Sequence, residues 1–171
     1  MPTRLGKIRT SSVCSRCSGN FVVICFGRRF IISICQTTRS NMEIKLINDE
    51  LLNELHKQAK ASERLRQNFD LRTTPEDTSQ RMLNYLEVGT LVPIHRHEDT
   101  SETNICIKGR LDVVFYDKGA DGEFVESSRV SLNPKAGAYG VQIPKGAWHT
   151  VEVYEPSAIF EGKDKAYKPR E

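Results

Sequence analysis

The chain has 171 residues, of which 38% are hydrophobic and 27% charged, and its formal net charge is +3. These proportions fit one globular domain with a core and argue against disorder throughout the chain. The charge is unevenly distributed, because residues 1–41 contain seven basic groups and no acidic group, whereas the remaining residues have a net charge of −4. The basic excess therefore belongs to the N-terminal segment, and we expect no nucleic-acid-binding face on the folded part.

Residues 1–41 are open to three interpretations. Four cysteines could hold zinc, although the second pair is more widely spaced than in typical structural zinc sites: Cys14, Cys17, Cys25 and Cys35. The Arg- and Ser-rich, acid-free composition also resembles a mitochondrial or plastid transit peptide, but its apolar blocks are β-rich and lack a helical period. We favour the third interpretation, in which Met42 is the natural start and residues 1–41 are a disordered or upstream extension.

Cysteine usage bears on the cellular compartment of the protein, and hydropathy bears on whether a segment spans a membrane. Cys106 is the one cysteine after residue 41, so this part cannot form an internal disulfide, which fits a reducing, cytoplasmic environment. The best candidate for a membrane span, residues 21–35, is split at its centre by Gly27, Arg28 and Arg29. Charge is most costly at that position, so we expect no membrane-spanning segment.

Residues 42–80 predict a helix followed by a polar connection. Asn48 can cap a helix over residues 49–61, with Asp49 and Glu50 in its first turn. An apolar stripe at helical spacing supports the same helix: Leu51, Leu52, Leu55 and Ala59. Residues 62–80 are mostly polar and predict a connection.

From residue 81 to the end, the pattern is one of short strands between Gly- and Pro-containing turns. The predicted strands are 82–88, 92–97, 102–108, 111–117, 124–132, 140–143, 149–154 and 157–162. No helical segments alternate with them, which indicates an all-β barrel or jelly roll preceded by one α-helix. The basic residues near the C-terminus are interpreted as a solvated tail: Lys163, Lys165, Lys168 and Arg170.

Three of the four histidines fall on predicted strands or strand edges. His95 and His97 are two residues apart and therefore project to the same face of a strand. Glu102 begins the next predicted strand, and His149 alternates in phase with inward-facing valines. An inward histidine alone is more often a hydrogen-bonded core residue. Because burying several titratable groups together requires pairing or a metal, we expect these four residues to hold a divalent ion such as Fe, Zn, Mn or Ni.

The spacing of these residues carries a family resemblance. The segment from Gly89 through His95, His97 and Glu102 to Gly109 resembles the first cupin motif, G(X)5HXH(X)3–4E(X)6G, at every fixed position. Residues 144–149, PKGAWH, are similar to the core of the second motif, PxGxxH. The chain departs from the second motif at two flanking positions, where Ala138 and Val153 replace the expected glycine and asparagine.

More narrowly, residues 42–171 resemble the WbuC-like cupin metalloproteins, which are often associated with bacterial surface-polysaccharide gene clusters. The stretches that carry this resemblance are RLRQNF at 64–69, QRMLN at 80–84, HRH at 95–97 and IPKGAWHT at 143–150. The resemblance implies a double-stranded β-helix that binds a divalent ion through His95, His97, Glu102 and His149. It implies no particular reaction.

Four further residues are candidates for a ligand pocket. Asn104 shares the parity of Glu102 and is expected to face the interior. Arg81 and Tyr85 precede the first motif and could meet an anionic substrate, or could equally be a solvated charge and an ordinary strand aromatic. Trp148 is interpreted as packing or as a pocket wall. No residue is identified as catalytic.

Two classes of function remain open at this stage. The first is a metal-dependent enzyme acting on a small oxygenated, sugar-like or nucleotide-sugar-like molecule as an isomerase, epimerase or lyase, or as a dioxygenase if the ion is Fe(II). The second is a module that binds a metal or small ligand without turnover. A lone helix argues against a helix-turn-helix DNA-binding protein. A homodimer formed through sheet edges is expected by analogy with the fold alone.

Overall fold

The computed structural model describes residues 22–26, 29–33 and 44–165 of a chain that divides into two units, Met1–Lys45 and Leu46–Glu171. In the first unit, β1 (Val22–Phe26) and β2 (Arg29–Ser33) pair in an antiparallel manner. The side chains of Cys14, Cys17, Cys25 and Cys35 lie outside the described part of the chain. The zinc, transit-peptide and upstream-extension interpretations of residues 1–41 therefore stay predictions.

The second unit is an antiparallel sheet preceded by one helix. Its elements are α1 (Asp49–Ala61), β3 (Arg66–Asp70), β4 (Ser79–Leu86), β5 (Glu102–Lys118), β6 (Phe124–Leu132), a 3-10 turn (Pro134–Ala136), β7 (Gly140–Ile143) and β8 (Trp148–Asp164). The strand order is β3-β4-β8-β5-β6, and β7 pairs with the first half of β5. The predicted fold class, all-β with an N-terminal helix, is confirmed.

Helix α1 forms where the sequence predicts it. The Asn48 side chain caps the helix by accepting a hydrogen bond from the backbone N–H of Leu51 at 3.1 Å. Leu52, Leu55 and Ala59 are buried and pack with Leu83, Tyr85 and Ala158 from the sheet. The helix thus covers one face of strands β3 and β4, and Ala158 of β8 joins the same cluster.

The predicted connection over residues 62–80 contains a strand that the sequence analysis missed. Strand β3 pairs with the far edge of β4, in a register that aligns Arg66 with Leu86 and Asp70 with Met82. The polar composition of this segment reflects its place at the edge of the sheet, where its side chains are partly exposed. Hydrophobic alternation is weak in such a strand, so the pattern gave no strand signal.

Strands β5 and β8 each replace two predicted strands. Segments 102–108 and 111–117 are the two halves of β5, and segments 149–154 and 157–162 are the two halves of β8. Where the sequence predicts breaks between these strands, the structure has shifts in the β5–β8 register, which lie between Cys106 and Leu111 and opposite Pro156. Gly109 has a φ of +92°, and a Cβ atom there would lie 2.4 Å from the carbonyl oxygen of Pro156. The irregularity is therefore absorbed within continuous strands.

The predicted strand over residues 92–97 is not formed. Its one ladder contact is an isolated bridge in which His95 and His149 exchange backbone hydrogen bonds of 3.0 and 2.8 Å. Pro93 lacks the N–H that a regular strand would need at this position. The segment is nevertheless fixed, because the backbone N–H of Gly146 donates to the carbonyl of His97 at 2.9 Å.

The sheet separates two apolar clusters. One lies beneath α1, and the other lies on the opposite, inner face of the strands: Leu86, Cys106, Leu111, Val113, Leu132, Ile143 and Ile159. Alternation along β4 and β8 divides their residues between the two clusters, so Leu83 faces the helix and Leu86 faces the interior. Among the described residues, no helix is both long and apolar enough to cross a membrane.

Candidate metal centre

Three segments bring the predicted ligands together at one end of the inner face. His95 and His97 lie on the loop between β4 and β5, Glu102 is the first residue of β5, and His149 is the second residue of β8. The backbone bridge between His95 and His149 holds the loop against β8. Arg96, between the two loop histidines, stacks on Trp148 with its guanidinium carbon 4.6 Å from the ring centroid.

The four predicted ligands form one cluster. Each offers one donor atom, and these atoms all lie within 4.8 Å of one another. The ring centroids of His95 and His149 are 4.3 Å apart, and Nε2 of His97 lies 2.7 Å from a carboxylate oxygen of Glu102. Glu102 and His149 are 4% and 1% exposed. The sequence-based prediction that these side chains converge is therefore supported by the geometry.

The hydrogen bonds of the imidazoles direct one nitrogen of each ring toward the cluster. Nδ1 of His95 donates to the carbonyl of Pro93, and Nδ1 of His149 donates to the carbonyl of Ala147, both at 2.9 Å. This tautomer leaves the Nε2 lone pair as the coordinating position. Nε2 of His149 is buried and has no hydrogen-bond partner among the described residues.

These donors fit a divalent ion. Two ligands bound at about 2.1 Å on opposite sides of an ion lie about 4.2 Å apart, close to the spread observed here. A buried, unprotonated imidazole nitrogen without a partner is costly unless it binds something. Imidazole and carboxylate donors together suit Zn, Fe, Mn or Ni.

The electrostatics of the cluster keep its groups in forms that can bind a metal. Burial alone would raise the pKa of Glu102, but the hydrogen bond from His97 and the charge of Lys163 outweigh it and lower this pKa to about 2. Burial lowers the pKa of His149 and so favours its neutral form. An anionic carboxylate and a neutral imidazole are the states in which both residues coordinate metals.

The cluster opens into a cavity of about 420 Å³. Its walls combine apolar side chains with amides and charged groups from β3, β4, β5, β8 and the connections before β3 and after β4: Arg64, Arg66, Asn68, Gln80, Met82, Asn84, Leu86, Val92, Asn104, Val151, Ile159, Glu161 and Lys163. A cavity of this size suits a small molecule.

Of the four other predicted pocket residues, one lines this cavity and three lie outside it. Asn104 lines the cavity and is 2% exposed. Arg81 and Tyr85 do not reach the cavity, because the even-numbered residues of β4 line it and the odd-numbered ones face the other side of the sheet. Arg81 pairs with Asp77 at 2.7 Å, and Tyr85 stacks on His56 with centroids 4.6 Å apart. Trp148 lines a separate surface pocket of about 670 Å³.

The polar wall beside the imidazoles was not predicted from the sequence. Lys163 was expected in a solvated tail, but it lies within β8 and its side chain is 9% exposed. Glu161 lies two residues earlier on the same face and accepts hydrogen bonds from Gln80 and Asn84 at 2.6 and 3.1 Å. Glu161 and Lys163 are two residues apart and therefore face the same side of a strand. A predicted last strand that ran past residue 162 would have placed both of them on the inner face.

Comparisons with known proteins give limited further information. A family model described as a domain of unknown function, DUF6016, matches residues 47–130. A search of curated proteins gives no match.

Several solved structures show a distant similarity. BH2720 from Bacillus halodurans has 19% identity, a TM-score of 0.48 and coverage of 77% of this chain and 88% of its own. A cupin-2 domain containing protein from Shewanella frigidimarina has 21% identity, a TM-score of 0.44 and coverage of 58% and 80%. The capsular polysaccharide assembling protein CapF from Staphylococcus aureus has 22% identity, a TM-score of 0.47 and coverage of 63% and 30%. At this distance the similarities identify no function.

Proposed function

We propose that the chain is a cupin-type protein that binds one divalent ion through His95, His97, Glu102 and His149. The observation that carries this proposal is the buried Nε2 atom of His149, which has no partner and faces three other donors. The same four residues occupy the ligand positions of the two cupin motifs. Imidazole and carboxylate donors of this kind suit Fe, Zn, Mn or Ni.

We further propose that the ion serves a reaction on a small oxygenated molecule, with a sugar or nucleotide-sugar derivative as the favoured class. When bound, a divalent ion polarises a coordinated carbonyl or hydroxyl group of such a molecule. The amide, carboxylate and ammonium groups of the cavity can bind hydroxyl groups, and its apolar wall limits access of water. A link to surface-polysaccharide metabolism rests on the WbuC-like resemblance alone.

A non-catalytic binding module is the second candidate, and one observation favours it. The two carboxylates nearest the imidazoles are already engaged, since Glu102 belongs to the cluster and Glu161 accepts hydrogen bonds from two amides. Neither is therefore free to act as a separate general base. A reaction carried by this site would depend on the ion and the substrate for its proton transfers.

Elemental analysis of the purified protein, followed by assays with the ion found, separates these functions. Iron with oxygen uptake supports a dioxygenase, whereas zinc or manganese with turnover of a sugar derivative supports an isomerase, epimerase or lyase. One ion per chain without turnover across a broad panel supports the binding module. A chain that binds none of these ions contradicts the proposal.

A further inference from the structure

The strand register places two polar rows beside the metal cluster. Strand β8 lies between β4 and β5, and its Lys163 aligns with Gln80 on one side and with Glu102 on the other. In the next row on the same face, Glu161 aligns with Met82 and with Asn104. Side chains that lie directly opposite on neighbouring strands are in contact range. Lys163 and Asn104 are thereby fixed next to the ligand Glu102 by the backbone itself.

Lys163 presents a buried positive charge to the metal cluster. Its Nζ lies 2.7 Å from Oε1 of Glu161, 3.4 Å from Oε2 of Glu102 and 3.3 Å from Nε2 of His97. The Glu102 carboxylate and the His97 nitrogen are both metal ligands in the proposed site. An ion bound to these two ligands repels the ammonium group and competes with it for their lone pairs, whereas Glu161 stays its anionic partner.

The charges around this point then favour an anion. Two carboxylates and one ammonium group surround the cluster, so a bound divalent ion leaves one positive charge uncompensated. Farther along the cavity wall, three cationic side chains, Arg64, Arg66 and Lys165, outnumber two carboxylates, Asp99 and Asp164. A buried excess of charge is unfavourable unless a counter-ion binds. A ligand with a single carboxylate would supply it.

Asn104 presents a hydrogen-bond acceptor at the same place. Its Nδ2 donates to Oε1 of Glu102 at 2.9 Å, and its Oδ1 is buried with no hydrogen-bond partner in the part of the chain that the structure describes. A buried amide oxygen of this kind can accept from a hydroxyl group. The cavity therefore offers an ammonium donor and an amide acceptor on either side of one metal ligand.

We propose that Lys163 and Asn104 form the binding subsite for a small 2-hydroxycarboxylate, or a sugar acid that contains this group. The carboxylate and hydroxyl oxygens would coordinate the ion, Lys163 would donate to the carboxylate, and Asn104 would accept from the hydroxyl. Glu161 is a positioning residue, held by Gln80 and Asn84, that fixes the Lys163 side chain. This inference rests on the proposed metal site, and it names the class of ligand that site would take.

Calorimetric titration of the Mn²⁺-loaded full chain tests the proposal with three probes. Glycolate carries both recognised groups, acetate lacks the hydroxyl and ethylene glycol lacks the carboxylate. We expect glycolate to bind about tenfold or more tightly than either analogue. Lys163→Met should weaken glycolate binding by about tenfold or more and reduce its advantage over ethylene glycol, and Asn104→Ala should reduce its advantage over acetate.

A charge-matched control and a double variant distinguish the loss of the subsite from a general effect on charge or folding. Lys135→Met removes an equivalent charge from an exposed residue outside the cavity and should leave glycolate binding unchanged. If Lys163→Met fails to fold, Lys163→Met/Glu161→Gln removes the ion pair as a unit, and we expect the same loss. A folded, Mn²⁺-loaded Lys163→Met protein that binds glycolate as tightly as the unaltered protein overturns the inference, as does glycolate binding no tighter than its analogues. A chain that binds no Mn²⁺ overturns the metal site as well.

Discussion

At the residue scale, two imidazoles of the cluster are oriented by the same kind of local hydrogen bond. Each donates from Nδ1 to the carbonyl oxygen two residues earlier in the chain, Pro93 for His95 and Ala147 for His149. The backbone bridge between the two histidines then brings their ring centroids to 4.3 Å from each other, with the ring planes tilted by 50°. Tautomer and orientation are therefore fixed before any ion binds, which lowers the cost of forming the site.

Replacing His97 with alanine should abolish stoichiometric ion binding. The remaining three ligands would leave Glu102 without its imidazole neighbour at 2.7 Å, and we expect the ion content to fall from one per chain to less than about a tenth. Elemental analysis measures the content, and circular dichroism checks that the sheet is retained. The matched variant His56→Ala alters the histidine that contacts Glu87 outside the cavity, and should keep its ion. Full ion occupancy in His97→Ala would contradict the assignment.

A second residue-scale prediction concerns Asp112, which lies away from the metal cluster. Burial alone would raise its pKa, but hydrogen bonds from Ser131, Arg129 and Tyr154 outweigh it and lower the pKa below 3.8. The ionised form therefore stabilises the fold above pH 3.8, and this contribution is lost as the pH falls through the lowered value. Asp112→Asn should reduce the free energy of unfolding at pH 7 by about 1–3 kcal/mol.

Denaturant unfolding at several pH values measures this difference. The gap between Asp112→Asn and the unaltered protein should shrink below pH 3.8, because Asp112 itself becomes protonated there. A gap of the same size at pH 7 and at the acidic end would show that Asp112 acts through packing and not through charge.

At the scale of elements, the two long strands allow one sheet both to pack against a helix and to line a cavity. Strands β5 and β8 pair along most of their length, and the register shifts near Gly109 occur opposite Pro156. Lys163 and Glu161 lie beyond this irregularity on β8, whereas His149 lies before it. Both halves of β8 nevertheless line the same cavity, so the irregularity contributes to the assembly of the site.

The steric constraint at Gly109 can be tested by comparison with Gly122, a second glycine that also has a positive φ. Gly109→Ala would place a Cβ atom 2.4 Å from the carbonyl oxygen of Pro156, in addition to the strain of a positive φ. Gly122 has a φ of +89° and nothing within 4 Å of the added Cβ, so Gly122→Ala carries the backbone strain alone. We expect a loss of about 1–2 kcal/mol for Gly122→Ala and at least about 1 kcal/mol more for Gly109→Ala. Thermal unfolding measures both, and equal losses would contradict the steric argument.

The elements that sequence analysis predicted are those with strong local signals. The Asn48 cap and the apolar stripe of α1 indicate the helix without tertiary contacts, and fixed motif spacing predicted the four side chains that converge in one cluster. Strand β3 was missed because an edge strand needs little apolar alternation. Lys163 was misplaced because a buried lysine is recognisable only once its partner Glu161 and the register with β5 are known.

At the scale of the whole molecule, ion binding should stabilise the fold because three separated segments converge on one point. A ligand that binds the native state at about 100 times its Kd adds about 2.7 kcal/mol to the free energy of unfolding. For a domain of this size, the melting temperature should rise by roughly 5–10 °C. Differential scanning calorimetry with and without Mn²⁺ measures the rise, and His97→Ala should show none. An equal rise in both proteins would indicate binding elsewhere.

The most direct test of the metal site is a crystal structure of the Zn²⁺-loaded protein with anomalous data collected at the zinc edge. We predict one strong anomalous peak at about 2.0–2.2 Å from Nε2 of His95, His97 and His149 and from a carboxylate oxygen of Glu102. A map in which these four side chains surround no peak, or in which the imidazoles point away from one another, would contradict it.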